Sequence, residues 1–209
     1  MHRRRLTFTA TMVGLLLTAV VAVPVLAAST TWKLNSYNPS GRALRAQVVD
    51  VAANGAVTVT FPKTADAAYL TTAKVGDFGN LAGQTLSAKV SIAAVVGTTF
   101  ANYPGCTNAT GDPTVGLYFQ TKTTGGFNPS AYWWSGERVS LSALANSPTL
   151  LTRQLVAGQW TNYNGQTDPT GFAAAAANVT SWGVSFGGDC FYANGVGTPA
   201  GSAVFTLQP

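Results

Sequence analysis

The sequence comprises 209 residues, of which 46% are hydrophobic and only 9% are charged, a length and composition that suit one hydrophobic core rather than two. Apart from three consecutive arginines near the N-terminus, its lysines and arginines are scattered along the chain, which argues against nucleic acid and anionic membrane surfaces as partners. Its one histidine, His2, lies in the N-terminal segment described next, so the mature protein has no Ser-His-Asp or Cys-His catalysis and no histidine-liganded metal site.

Residues 1–28 have the pattern of a signal peptide. The positive charges of Arg3 to Arg5 precede an uncharged apolar run, Met12 to Leu26, and small residues suited to cleavage follow. The predicted mature protein, residues 29–209, is therefore secreted, forms a single domain and does not insert into a membrane. A retained membrane anchor is the alternative, although the apolar run is short for a bilayer span and Pro24 interrupts it.

The first half of the mature chain predicts strands separated by turns. Thr31 to Arg45 is interpreted as an entry strand followed by a turn. Ala46 to Val51 and Val57 to Phe61 flank Asn54-Gly55, a signal for a β-hairpin. From Leu86 to Ile92, apolar and polar residues alternate, which predicts a strand with one face in the core.

Two further strands follow a predicted loop, Phe100 to Pro113. Val115 to Gln120 alternates, with Leu117 and Phe119 on one side and Tyr118 and Gln120 on the other. In the next strand Tyr132 and Trp134 share a side while Trp133 faces the opposite way.

The C-terminal part combines one short helix with two strands. Thr170 is predicted to cap a helix that carries the alanine run Ala173 to Ala177. Two alternating runs predict core strands, one through Trp182, Val184 and Phe186 and the other through Ala203, Phe205 and Leu207. Several short strands with turns between them and one helix indicate an antiparallel sandwich of two sheets.

Four stretches also carry a resemblance to a known family. They are Tyr132 to Ser135, Gly158 to Trp160, Phe172 to Val179 and Trp182 to Gly188. This pattern resembles galactose-binding-like jelly rolls, which include many noncatalytic carbohydrate-binding modules of bacterial secreted enzymes. The resemblance implies an all-β, two-sheet antiparallel jelly-roll sandwich. It also implies a secreted protein that binds a neutral polysaccharide or a cell-surface glycan.

A ligand site is predicted on one sheet face. Sugar rings lie well on aromatic faces, and their hydroxyls bond to planar polar side chains. Strand alternation turns Trp133 away from its neighbours and puts Tyr118 and Gln120 opposite the apolar residues of their strand. Arg153 joins this set if its strand is adjacent. The alternative is that Trp133 packs under a loop or the helix, as large aromatic residues commonly do.

Aromatic residues in loops offer a second predicted location for the site. Tyr103, Tyr163 and Tyr192 lie in segments with loop composition, and Tyr163 is taken as a ligand-binding residue. If these loops meet at one end of the sandwich, they form an end site there. The alternative is that the rings only fix their loops.

Catalysis is not predicted. A glycosidase needs two carboxyl groups facing each other across the sugar bond, and most acidic residues of this chain fall in predicted turns. Asp77 and Asp112 are interpreted as turn formers and Glu137, next to Arg138, as half of an exposed ion pair. A hydrolase or lyase that pairs distant carboxylates is a further alternative, and a structural or adhesive protein that binds another protein is the main one. A monomer is expected.

The two cysteines, Cys106 and Cys190, are predicted to form a disulfide because the chain is exported to an oxidising compartment. No dense Asp-x-Asp loop is present, so no metal site is predicted. A structural calcium ion remains an alternative, with Asp66, Asp77 or Asp189 as candidate ligands.

Overall fold

The structure is a computed structural model that describes residues 31–38, 43–73, 78–105, 111–123, 127–188 and 190–209. The predicted signal peptide, residues 1–28, lies outside the described residues. In the described part of the chain, no helix has the length and apolar character needed to cross a membrane.

Strands dominate the described chain. In order they are β1 (Trp32–Tyr37), β2 (Leu44–Val49), β3 (Val57–Thr60), β4 (Ala67–Thr72), β5 (Thr85–Ala94), β6 (Thr99–Asn102), β7 (Thr114–Thr121), β8 (Tyr132–Ser140), β9 (Thr149–Gln154), β10 (Trp160–Asn162), β11 (Val179–Gly187), β12 (Val196–Ala200) and β13 (Ala203–Gln208). Two α-helices, α1 (Leu141–Leu144) and α2 (Pro169–Ala176), and a 3₁₀ turn, Pro129–Ala131, lie between strands.

The strands form two antiparallel sheets. Seven strands of the nine-stranded sheet follow the order β10-β8-β7-β11-β4-β1-β2, and β12 and β6 extend it beside β4. The four-stranded sheet has the order β3-β13-β5-β9. The chain passes repeatedly from one sheet to the other, as from β2 to β3 to β4 to β5. The predicted all-β, two-sheet antiparallel jelly-roll sandwich is therefore confirmed.

The core lies between the two sheets and contains the apolar residues that alternate in the sequence. Phe205 of β13 is fully buried, and its ring centroid lies 5.0 Å from that of Phe186 on β11, in the other sheet. Trp182 contacts Trp32 edge to face at 5.8 Å. The predicted core sides of β5, β11 and β13 are thus confirmed, since all their apolar members are buried.

Pairing between neighbouring strands differs from the prediction at the Asn54-Gly55 turn. The turn forms, with the Gly55 N–H donating to the Ala52 carbonyl at 2.8 Å. However, β2 belongs to the larger sheet and pairs with β1, whereas β3 pairs with β13 in the smaller sheet. The hairpin is limited to one antiparallel bridge, between Val51 and Val57. The predicted pairing beyond this bridge is wrong, because both strands find their partners elsewhere and the turn carries the chain across the sandwich.

Three smaller differences concern element boundaries. The predicted loop from Phe100 begins inside β6, which pairs with β12. Helix α1 was not predicted, because only four residues form it. Helix α2 begins at Pro169, and its cap is Asp168 instead of Thr170, since the Asp168 carboxylate accepts from the Gly171 N–H at 3.1 Å.

We expect Phe205→Ala to lower the free energy of unfolding by about 3 to 5 kcal/mol, because it empties the space between the sheets. Thr206, the next residue on β13, faces away from the core and provides the matched control. Thr206→Ala should cost less than about 1 kcal/mol. Urea unfolding followed by fluorescence measures both values, and equal losses would contradict this assignment of the core.

Candidate functional site

Strand register determines which aromatic residues reach the outer face of the larger sheet. On β7, Tyr118 lies opposite Trp134 of β8 and opposite Gly183 of β11. Residues that lie directly opposite each other on adjacent strands point to the same face of the sheet, so these three positions lie on one side. An aromatic cluster separate from the main core results, with Tyr69 as its member from β4.

A groove of about 430 Å³ crosses this outer face from β8 to β2. Its aromatic lining consists of Tyr69, Tyr118 and Tyr132. Tyr69 and Tyr118 pack against each other with ring centroids 4.9 Å apart and are almost fully buried, so they form the floor. Tyr132 is partly exposed and forms one wall.

Polar side chains with fixed orientations line the rest of the groove. The Tyr118 hydroxyl donates to Gln120 Oε1 at 3.1 Å, and Asn35 Nδ2 donates to Thr71 Oγ1 at 3.2 Å. Lys33 and Lys122 also line the groove, whereas none of its described lining residues carries a carboxylate. The groove therefore presents rings, amides, hydroxyls and ammonium groups.

Next to the groove, a half-buried arginine joins the sheet to a loop. Arg138 donates to Thr114 Oγ1 at 2.8 Å, to Ser185 Oγ at 3.1 Å and to the Ser185 carbonyl at 3.0 Å. It also donates to the Tyr192 carbonyl at 3.0 Å and lies 4.7 Å from the centroid of the Tyr192 ring. Burial lowers the pKa of the Arg138 guanidinium to about 9, so it remains charged at neutral pH.

A second depression of about 320 Å³, here called the end pocket, lies beside β10. Its rings are Trp134, Tyr163, Phe191 and Tyr192. The centroid of Phe191 lies 5.3 Å from that of Trp134 and 4.9 Å from that of Tyr163. Tyr163 is 41% exposed, so its ring borders the opening.

The structure corrects the prediction that Trp133 displays its ring to a ligand. Trp133 is fully buried in the core between Phe119 and Phe172, and its Nε1 donates to the Ser130 carbonyl at 2.8 Å. The physical reason is register, because Trp133 lies opposite Phe119 on the core side of the sheet. The packing alternative is the correct one for this residue, and Trp134 is the tryptophan of this pair that faces outward.

Arg153 is also not brought to the predicted set. It lies on β9 in the smaller sheet, whereas Tyr118 and Gln120 lie on β7 in the larger one. Arg153 forms an ion pair with Glu137 at 3.0 Å and links the two sheets at their edge. Glu137 is therefore half of an exposed ion pair, with Arg153 instead of the adjacent Arg138 as its partner.

The other predicted residues lie where they can contact a ligand. Tyr118 and Gln120 line the groove, and Tyr163 lines the end pocket together with Tyr192. Tyr103 lies elsewhere, beside Asn102 and Pro104. Sequence reasoning missed Tyr69, because every residue of β4 is buried and the strand shows no alternation.

Remaining predictions on cysteines and metals stay open. Cys106 lies outside the described residues, so its pairing with Cys190 stays a prediction, although Cys190 is not a free thiol. Asp77 and Asp189 also lie outside them, and Asp66 accepts a hydrogen bond from the Thr64 hydroxyl. The described residues contain no group of three or more potential metal ligands, and the calcium alternative stays untested.

Comparison with known proteins gives a likeness to solved structures only. No protein-family profile matches the chain, and no curated protein matches it. Among solved structures, the chain is similar to a xylan-binding module, CBM15, with a TM-score of 0.42 and 14% sequence identity. The alignment covers 87% of this chain and 94% of that one. The functional interpretation therefore depends on the residues of the groove and the end pocket.

The buried phenol of Tyr118 should make stability depend on alkaline pH. Burial, and then the negative charge of neighbouring ionised tyrosines, raise the pKa of Tyr118 well above its ordinary value of 10.0. In the unfolded chain this phenol ionises near its ordinary pKa, whereas in the folded protein it remains neutral at that pH. The contribution of the neutral Tyr118 phenol to the free energy of unfolding is therefore complete below about pH 10. This contribution is lost as the pH rises toward the pKa that Tyr118 has in the folded protein.

We expect the free energy of unfolding to fall above about pH 10, with Tyr118 contributing about 1.4 kcal/mol per pH unit. Tyr118→Phe should reduce the slope by this amount. Urea unfolding of both proteins at several alkaline pH values measures the difference. Parallel slopes would show that the Tyr118 phenol is not protected from ionisation.

Proposed function

We propose that the protein is a secreted, noncatalytic carbohydrate-binding protein that holds a segment of a neutral polysaccharide or cell-surface glycan in the groove. The observation that carries this proposal is a groove built from tyrosine rings, uncharged polar side chains and two lysines, without a carboxylate among its described lining residues. Secretion is supported by the pattern of residues 1–28.

The groove offers complementary contacts to the two surfaces of a sugar ring. The C–H groups of a pyranose can lie on the exposed part of Tyr132, which packs against Phe127 with centroids 5.5 Å apart. Gln120 Oε1 already accepts from Tyr118, and no described residue accepts from its Nε2, which is left to donate to a sugar hydroxyl. Lys33 and Lys122 supply further donors.

The distribution of acidic residues supports a noncatalytic role. Asp112 accepts from the backbone and hydroxyl of Ser142, Asp168 caps α2, and Glu137 pairs with Arg153. Each of these carboxylates has a structural partner, and none lines the groove. The pairs of opposed carboxyls that glycoside hydrolysis needs are therefore not offered there by the described residues.

The decisive experiment measures binding of the protein and its variants to a panel of soluble polysaccharides by affinity electrophoresis and calorimetry. Tyr132→Ala removes a groove wall, and we expect about tenfold weaker binding. Gln120→Ala removes a hydrogen bond and should weaken binding about two- to tenfold. Gln208→Ala, on the outer side of the smaller sheet, is the matched control and should bind as the unmodified protein does.

Two results would contradict the proposal. One is an absence of binding across neutral and uronic-acid-bearing polysaccharides. The other is binding that Tyr132→Ala and Gln120→Ala leave unchanged. Release of reducing ends from any polysaccharide of the panel would separately contradict the noncatalytic part.

A second candidate function, binding of another protein, is favoured by strand β2. Strand β2 is an edge strand of the larger sheet, so in the described structure only one of its sides is hydrogen-bonded to a neighbouring strand. Leu44 and Val48 on this strand are 51% and 61% exposed. Exposed apolar edge strands can pair with a strand of another chain.

Sedimentation at increasing concentration separates self-association through β2 from the monomer expected from the sequence. If β2 mediates self-association, Val48→Lys should abolish the dimer, because it places a charge on the edge. Val96→Lys is the control, since Val96 is fully exposed in a loop away from β2. A single monomeric species at all concentrations would argue against self-association through β2.

A further inference from the structure

The end pocket contains two buried polar atoms that the protein itself does not satisfy. Trp134 Nε1 and Thr161 Oγ1 are both buried and have no hydrogen-bond partner among the described residues. Both residues line the pocket, and they lie opposite each other on β8 and β10. Buried donors without partners are rare in native proteins, so each needs a physical explanation.

Two other tryptophans show how this protein can satisfy a buried indole N–H. Trp133 Nε1 donates to the Ser130 carbonyl and Trp160 Nε1 to the Gln154 carbonyl, both at 2.8 Å. Trp134 is only 1% exposed, yet its N–H lacks such an acceptor. The difference indicates that an acceptor from outside the protein is expected at this position.

The rest of the pocket has the shape and chemistry for a small, uncharged, hydroxylated ring. Tyr163 and Phe191 pack against each other with centroids 4.9 Å apart and form an aromatic wall in its lining. No charged residue is among its described lining residues, and its volume of about 320 Å³ falls in the range of small-molecule sites. The Asn162 side chain, which accepts from the Asn164 and Gln166 N–H groups, fixes the adjoining loop.

We infer that the end pocket is a second sugar-binding site that takes one pyranose residue. A ring hydroxyl oxygen accepts from Trp134 Nε1, a neighbouring hydroxyl bonds to Thr161 Oγ1, and the C–H face lies against the aromatic wall. The site shares no described lining residue with the groove, so separate variants can test the two sites.

The indole N–H of Trp134 provides a direct reporter. In a ¹⁵N-labelled protein, each of the five tryptophans gives one indole signal, and Trp134→Phe identifies the signal of interest by its loss. Titration with a panel of neutral monosaccharides, and with the corresponding oligosaccharides, should shift this signal in a saturable way. A response to monosaccharides indicates a site for one free ring, and a response to oligosaccharides alone indicates a site for a chain end.

The variant Thr161→Val tests the pocket without changing one of its aromatic rings. It deletes an unsatisfied buried hydroxyl at nearly constant volume, so the melting temperature of the free protein should stay the same or rise. The affinity reported by the Trp134 signal should fall about tenfold, because the sugar loses a partner. Thr58→Val, on an exposed position of β3, is the matched control and should change neither the affinity nor the Trp134 shift.

The groove variant Gln120→Ala separates this inference from the proposed function. It should weaken polysaccharide binding and leave the shift of the Trp134 signal intact. An unperturbed Trp134 signal throughout the panel would overturn the inference and assign the two polar atoms to solvent. So would a saturable shift whose affinity Thr161→Val does not change. Neither of these results would affect polysaccharide binding in the groove.

Discussion

The register of β7 between β8 and β11 determines which side chains enter the core and which face outward. Phe119 lies opposite Trp133 and Trp182, and all three are buried between the sheets. Tyr118, one residue earlier, lies opposite Trp134 and supports the groove and the end pocket from below. Because side chains alternate with a period of two, a slip of one residue would exchange these sets, filling the core with phenols and exposing the apolar rings.

Local alternation was sufficient to predict much of the sandwich. The apolar residues of β5 and β13 are separated by polar ones, so the side that must be buried is evident without knowledge of any partner strand. The local sequence does not indicate which strand pairs with which. The Asn54-Gly55 turn has the composition of a hairpin, but the free energy of the whole fold favours pairing of its two strands in different sheets.

The sites were harder to predict because their residues resemble core residues. Trp133 and Trp134 are chemically identical neighbours, and only the position of Phe119 on the adjacent strand determines which of them is buried in the core. Tyr69 lies on a strand that is covered on both sides and gives no alternating signal. Tyr163 was predicted from an aromatic ring in a loop segment, and Gln120 because it shares with Tyr118 the side opposite the apolar residues of its strand.

The hydrogen bonds of Arg138 affect how the end pocket would bind a ligand. This half-buried cation joins β7, β8 and β11 to the carbonyl of Tyr192, in the segment that forms one wall of the end pocket. A wall attached in this way has little conformational entropy left to lose on association, so recognition there would proceed by complementarity to a preformed shape. Such rigid recognition would discriminate among sugars by the orientation of single hydroxyls rather than adapt to several of them.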